Sequence, residues 1–224
     1  EDDHMPYTYY TLLSTLVRQW RHDWRDDELP FMIVQLPMFK GAEEPDYKNW
    51  PFIREAQMRL FKTVKNTGIA VILDKGEYGN IHPVQKDVVG ERLCEQALYH
   101  VYKKDNEKSA FGPIYSSYEK HGNKMLIHFE HADDGIECRG GKVSGFEVAG
   151  DDKKYYKAEA EIAGNDIIVS SVDVDKPKYV RYCWTNYSEV TLFGKNGIPV
   201  APFRTSYDDG AVAIGSRNEG LWEK

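Results

Sequence analysis

The chain has 224 residues, of which 41% are hydrophobic and 29% charged, ordinary values for a globular protein with a substantial core. Its formal net charge of −7 argues against a nucleic-acid-binding protein, which would normally carry a basic patch. No apolar run approaches the roughly 18 residues that a membrane-spanning helix needs, so we expect no membrane span.

The first 104 residues alternate between helical and strand patterns. Apolar side chains recur at helical spacing over residues 6–25, 52–65 and 84–102. Two short apolar runs, 31–36 and 69–73, lie between them and are typical of strands covered on both faces. Strand, helix, strand and helix in succession predict a parallel sheet with helices on its faces.

The pattern changes near residue 103. The polar stretch KKDNEKS (103–109) predicts a linker, and beyond it short strand-like runs are separated by turn clusters such as ADDG and RGGK. Their spacing of about ten residues predicts an antiparallel sandwich or barrel. We therefore expect an α/β domain over 1–104, a β-rich domain over 105–206 and a C-terminal tail over 207–224. The predicted β runs are 113–118, 124–129, 145–148, 155–162, 166–171 and 179–184.

A histidine follows the second predicted strand, in the loop GEYGNIHP (76–83). In open α/β sheets, ligands bind beyond the carboxyl ends of the strands, and an imidazole suits general-base work. Asp74 and Glu77 belong to the same stretch, and either could orient the ring of His82, as in a hydrolase triad. The other interpretation is that His82 only shapes the turn before the next helix.

From this strand to the next helix the chain reads VILDKGEYGNIHPVQKDVVGERLCEQAL. The stretch resembles the sialate O-acetylesterases, carbohydrate esterases within the SGNH hydrolases. The resemblance is carried by Asp74 at the strand end, an N-I-H-P motif that contains His82, and a K-x-x-V-G-x-R-L pattern from Lys86 to Leu93. The stretches PFMIVQLPMF, GFEVAG, VRYCWTN and GIPVAPFRTS extend it over about residues 6–206.

The resemblance implies part of an SGNH-type parallel α/β/α domain followed by a smaller antiparallel β-sandwich-like domain. It also implies hydrolysis of acetyl esters on an O-acetylated sugar, typically a sialic acid. A serine would attack the acetyl carbonyl and His82 would take its proton, with no metal or organic cofactor. A periplasmic or secreted location is implied in the same way.

Two features depart from the family pattern. Many SGNH enzymes carry an aspartate three residues before the catalytic histidine, and here that position is Gly79. The orienting group is then Glu77, Asp74, a backbone carbonyl, or nothing. The family's serine lies in a Gly-x-Ser block that precedes the matched region, and Ser216, the serine beside a glycine in AIGSRNEG, lies beyond it. We therefore expect this chain to supply the histidine, an N-terminal segment or chain to supply the serine, and this chain alone to be inactive.

Three further polar residues are candidates for substrate binding. Gln35 ends the first predicted strand, so its amide is expected to point into the same cleft as His82. Arg54 and Gln57 lie in the second helix, where they would bind sugar hydroxyls or a carboxylate, or else satisfy backbone groups of loops. An alternative function is a catalytically incomplete carbohydrate-binding or interaction protein that is derived from the esterase fold.

Overall fold

The computed structural model of the protein describes residues 4–41 and 49–213. The chain divides into two compact units, residues 1–110 with 213–224, and residues 111–212. The sequence placed this boundary at 104/105, within a linker. The structure moves it because the end of the polar stretch is helical and fastened to the first unit. The Asn106 amide donates to the Glu95 carboxylate, and the Gln96 amide donates to the Ala110 carbonyl.

The first unit contains four α-helices, a short 3₁₀ helix (Leu73–Lys75) and two strands within the described residues. The helices are α1 (Tyr9–Trp24), α2 (Trp50–Thr63), α3 (Lys86–His100) and α4 (Glu107–Ala110), and the strands are β1 (Phe31–Gln35) and β2 (Thr67–Val71). The two strands pair in parallel, in register from Phe31↔Thr67 to Gln35↔Val71. The predicted parallel arrangement is therefore present, but in the described part of the chain the parallel sheet has only these two strands.

Helices α2 and α3 cover opposite faces of the two strands. A Cβ atom on Gly68 would meet Met32 Sδ at 2.6 Å and Gln96 Oε1 at 2.8 Å, so this face is packed against α3. The amide of Gln35, which points the other way because side chains alternate along a strand, donates to the Arg54 carbonyl in α2. All five residues of β2 are consequently buried.

Helix α1 lies against α2 and ends at a left-handed residue. Arg25 has φ 54°, and its N–H donates to the His22 carbonyl while the Asp26 N–H donates to the Arg21 carbonyl. This pattern of bonds is a common way to satisfy the last carbonyls of a helix. Within residues 4–41 and 49–213, no helix combines the length and the apolar character needed to cross a bilayer.

The second unit is built from antiparallel strands. The strands are β3 (Ile114–His121), β4 (Lys124–Glu130), β5 (Ile136–Cys138), β6 (Phe146–Ala149), β7 (Tyr156–Lys157), β8 (Glu159–Ala163), β9 (Asp166–Ser170), β10 (Tyr179–Tyr182), β11 (Leu192–Gly194) and β12 (Phe203–Arg204). Two four-stranded sheets have the orders β3-β4-β9-β8 and β12-β10-β6-β7, and β11 pairs separately with β5. Stacked and edge-on aromatic rings, including Tyr115, Phe146, Tyr182 and Phe203, fill the interior.

Residues 207–212 belong to this second unit and are not a tail. Asp209 is fully buried, and its carboxylate accepts hydrogen bonds from Arg204 Nη1 at 2.8 Å and from the Tyr155 hydroxyl at 2.9 Å. Burial, with the nearby Asp209 charge, raises the pKa of Tyr155. The buried carboxylate therefore fixes the end of the unit. Ser216 lies outside the described residues.

Candidate active site

The chain segments that follow β1 and β2 are joined at the carboxyl edge of the sheet. The Met38 N–H donates to the Leu73 carbonyl at 3.4 Å, and the Gly79 N–H donates to the Lys40 carbonyl at 2.9 Å. Gly76 lies so close to the first segment that an added Cβ would be 1.7 Å from the carbonyl oxygen of Met38. Only glycine fits there, and the loop that carries His82 is held in place by this contact.

Asp74 is part of a buried ion pair. Its two carboxylate oxygens accept bonds from Arg92 Nη1 at 2.6 Å and Arg92 Nη2 at 3.0 Å, and both side chains are only 10% exposed. The same guanidinium donates to the Val71 carbonyl at 2.7 Å, and Lys75 Nζ lies 3.3 Å from the carboxylate. Asp74 thereby connects the end of β2 to α3. The contact is bidentate, which requires the planar guanidinium of an arginine.

Glu77 connects the two ends of the segment that contains His82. One carboxylate oxygen accepts from the Asn80 amide and the other from the Val84 N–H, each at 2.8 Å. These bonds, with the Val84 N–H as the largest cause, hold the pKa of Glu77 below its usual value. The bonds favour the charged carboxylate, so Glu77 is an acceptor for its own loop.

His82 itself lies on the surface of this loop. Its main-chain N–H donates to the Asn80 side-chain oxygen at 3.0 Å, while its side chain is exposed. Among the described residues, nothing forms a hydrogen bond with its imidazole. The contact with Asp74 or Glu77 that the sequence suggested is not formed here, because Arg92 occupies the first carboxylate and the loop main chain with Asn80 occupies the second.

Gln35, Arg54 and Gln57 all serve the main chain around the end of β1. The Gln35 amide donates to the Arg54 carbonyl, and Arg54 Nε and Nη2 donate to the carbonyls of Leu36 and Pro37 at 3.1 and 2.7 Å. Gln57 Oε1 accepts the Leu36 N–H at 2.9 Å. All three side chains are buried. For Arg54 and Gln57 these bonds match the backbone role that the sequence left open as the alternative to sugar binding. The Gln35 amide was expected in the same cleft as His82, but it is buried against α2, because it bonds the Arg54 carbonyl there.

In the part of the chain that the structure describes, no catalytic serine or metal site is evident around these residues. Ser14 lies in α1, where its hydroxyl donates to the Thr11 carbonyl. Across the described residues, no group of three or more histidine, cysteine, aspartate or glutamate side chains is arranged to bind a metal ion. His128 contacts Glu119 and Asp166, and His131 stacks on Phe111.

The structure is similar to that of a solved carbohydrate acetylesterase from Xanthomonas citri. The two have 33% sequence identity and a TM-score of 0.83, and the match covers 89% of this chain. The chain is related to a carbohydrate esterase. It covers 46% of the Xanthomonas citri chain, and thus spans about half the length of that enzyme. No family model matches the chain, and no curated protein matches it either.

Sequence reasoning did not assign roles to Arg92, Asn80 and Gly76. In the sequence, Arg92 was used only as one position of the K-x-x-V-G-x-R-L pattern. An arginine on the sheet-facing side of a helix nevertheless indicates a buried partner. Asn80, two residues before His82, has the spacing of a side chain that accepts a nearby main-chain N–H. Both signals point to how the loop is held, and neither identifies a second reacting group.

Proposed function

We propose that the chain is the histidine-bearing part of a carbohydrate O-acetylesterase, specifically one similar to the sialate O-acetylesterases. The observation that carries the proposal is the exposed imidazole of His82, held at the carboxyl edge of a parallel sheet. The 33% identity to a carbohydrate acetylesterase supports the reaction class. The preference for sialic acid and a periplasmic or secreted location follow from the resemblance of the sequence and are part of the same proposal.

In the proposed reaction, a serine of an N-terminal segment or chain attacks the carbonyl carbon of the acetyl ester while His82 takes the hydroxyl proton. The tetrahedral intermediate then collapses, the bond between the acetyl carbon and the sugar oxygen breaks, and His82 returns the proton to that oxygen. Water attacks the acetyl-serine, His82 takes a proton from the water and passes it to the serine oxygen, and acetate leaves.

The loop carboxylates have different roles in this proposal from those that the sequence suggested. Glu77 bonds the Asn80 side chain before His82 and the Val84 main chain after it, and Asp74 fixes the strand from which the loop departs. Neither orients the imidazole directly. A Ser–His pair whose histidine is oriented by a backbone carbonyl, or by no further group, fits this arrangement.

A second candidate function is non-catalytic binding of a carbohydrate or a protein. This second function is favoured because, within the described residues, the imidazole of His82 contacts neither a carboxylate nor a serine. In that case the chain would retain the sheet edge and the β unit without the reaction.

The two functions are separated by measuring acetate release from an O-acetylated sialic acid. The assay compares the purified 224-residue chain alone with the chain mixed with a serine-bearing segment, and a Ser→Ala version of that segment is the control. We expect turnover only in the mixture with the intact serine. Sugar binding without turnover in the mixture would favour the second function, and turnover by the chain alone would make Ser216 the first nucleophile to test.

A further inference from the structure

The two outer edges of the β1–β2 pair differ in how their main-chain groups are satisfied. On the outer edge of β2, the Ile69 N–H donates to Gln96 Oε1 at 2.9 Å, and the Val71 carbonyl accepts from Arg92 Nη1 at 2.7 Å. Both side chains belong to α3, and Gln96 is fully buried. Side chains therefore occupy the positions that a further strand would need, and the sheet ends at β2.

The outer edge of β1 has no such cover among the described residues. The Phe31 N–H donates to the Asn66 carbonyl at 3.0 Å, so alternate residues Phe31, Ile33 and Gln35 direct their main-chain groups toward β2. Met32 and Val34 direct theirs away from β2, and no group in the described part of the chain bonds them there. Four of the five β1 residues are only half-buried, whereas every β2 residue is buried.

Helix α1 presents an exposed apolar stripe that reaches the start of β1 at Trp20. Leu12, Leu16, Trp20 and Trp24 recur at every fourth position and are between 45% and 73% exposed. The Trp20 ring lies 5.9 Å from the Phe31 ring, so the stripe borders the start of β1. Large apolar residues in such a row on one helix face form a contiguous patch, which is typical of a surface that is covered by another element.

We propose that the β1–α1 surface, formed by the free edge at Met32 and Val34 and by the stripe Leu12, Leu16, Trp20 and Trp24, docks the remaining part of an esterase domain. The occupant adds a strand parallel to β1 and covers the stripe with apolar side chains. The solved acetylesterase supports this occupant, because this chain covers 46% of it and leaves more than half for such a segment.

The parallel direction follows from the character of the two existing strands. They are continuous apolar runs covered by helices on both faces, which is the setting of parallel sheets. A parallel strand beside β1 would end at the same edge as the loop that carries His82, so residues that follow it come close to the imidazole. The claim that the occupant carries the serine rests on the proposed function. The open edge of β1 and the apolar stripe of α1 do not depend on that function.

The test uses as its probe the part of the Xanthomonas citri acetylesterase that this chain does not cover, produced separately. Amide exchange followed by NMR compares the free 224-residue chain with its mixture with the probe. In the free chain we expect fast exchange at Met32 and Val34 and slow exchange at Ile33 and Gln35, which bond β2. In the mixture, exchange at Met32 and Val34 slows by about tenfold or more, as for amides that enter a ladder.

Two variants and a matched control locate the surface. Leu16→Lys places a charge in the stripe, and Val34→Pro removes an N–H that does not bond β2. Each is expected to weaken binding of the probe by about tenfold or more, since each acts within the buried contact. Val172→Lys replaces an apolar residue that is 95% exposed in the second unit, and it should leave the affinity unchanged. Circular dichroism verifies that the three variants fold.

Several results would overturn the proposal. They are slow exchange of Met32 and Val34 in the free chain, no complex with the probe, or a complex that is insensitive to Leu16→Lys and Val34→Pro. Self-association of the chain that these variants abolish would identify a second copy as the occupant instead. A complex with protected Met32 and Val34 that releases no acetate would refute the proposed function and leave the docking surface standing.

Discussion

Replacing Asp74 with asparagine tests whether this residue supports the fold or the chemistry. The change removes the charge that Arg92 contacts through two bonds of 2.6 and 3.0 Å, where both side chains are 10% exposed. Removing one partner of a buried pair costs about 3–5 kcal/mol, because the other charge stays buried and uncompensated. Arg92 keeps its bond to the Val71 carbonyl, and the new amide side chain can still accept one bond, so we expect a loss of about 3 kcal/mol.

Thermal unfolding followed by far-ultraviolet circular dichroism measures this loss, since all the helices that the structure describes lie in the first unit. For a domain of about 100 residues, 1 kcal/mol lowers Tm by roughly 4–8 °C, so Asp74→Asn should lower it by at least about 10 °C. The control is Asp23→Asn in α1, which weakens the exposed contact between Asp23 and His22, where the two side chains are 56% and 83% exposed. That change should cost less than about 1 kcal/mol.

The double variant Asp74→Asn with Arg92→Met should lose less stability than the sum of the two single variants, because it leaves no unpaired charge. The reasoning is refuted if Asp74→Asn is as mild as Asp23→Asn, or if the two changes at the pair are additive. In the assembled enzyme, an unchanged Tm with a large fall in kcat would instead make Asp74 the orienting acid.

Two further predictions concern the loop. The Val84 N–H and the Asn80 amide hold the pKa of Glu77 below its usual value, so its bonds within the loop are complete above the usual pKa of a glutamate and are lost as the pH falls through the lowered pKa. The Val84 amide resonance should therefore titrate with a midpoint below the usual pKa of a glutamate. A midpoint at or above that pKa, or the same titration in Glu77→Gln, would contradict this. Gly76→Ala brings a methyl group within 1.7 Å of the Met38 carbonyl oxygen and should cost about 1–3 kcal/mol or more in urea unfolding. Gly90→Ala, in open space within α3, should stabilise by about 0.5–1 kcal/mol, and the same sign for both changes would contradict this account.

The sequence predicted the helices and strands of the first unit because their signals are local. Helical spacing located α1, α2 and α3 to within a few residues, and the apolar run 31–36 located β1. The second run, 69–73, predicted a strand two residues too late. Leu73 is buried but begins a short 3₁₀ turn, and burial alone does not distinguish a strand from the turn that follows it.

Contacts between residues that are far apart in the chain could not be predicted from the sequence. Strands β5 and β11 have three residues each and pair Cys138 with Leu192, so no local alternation marks them. The role of Asp74 depended on Arg92, which is 18 positions away and reaches it only once α3 has packed on β2. Charged side chains near a histidine suggested a triad, whereas the folded chain uses them to hold the loop.

The catalytic role of His82 is the central claim, and it is tested most directly by kcat for acetate release by the chain combined with a serine-bearing segment. His82→Ala should lower kcat by about a thousandfold or more, because it removes the group that takes the serine proton. His121→Ala is the matched control, since that histidine is also exposed but pairs with Glu119 in the β unit, and its kcat should be unchanged. Retention of most of the activity by His82→Ala would contradict the account.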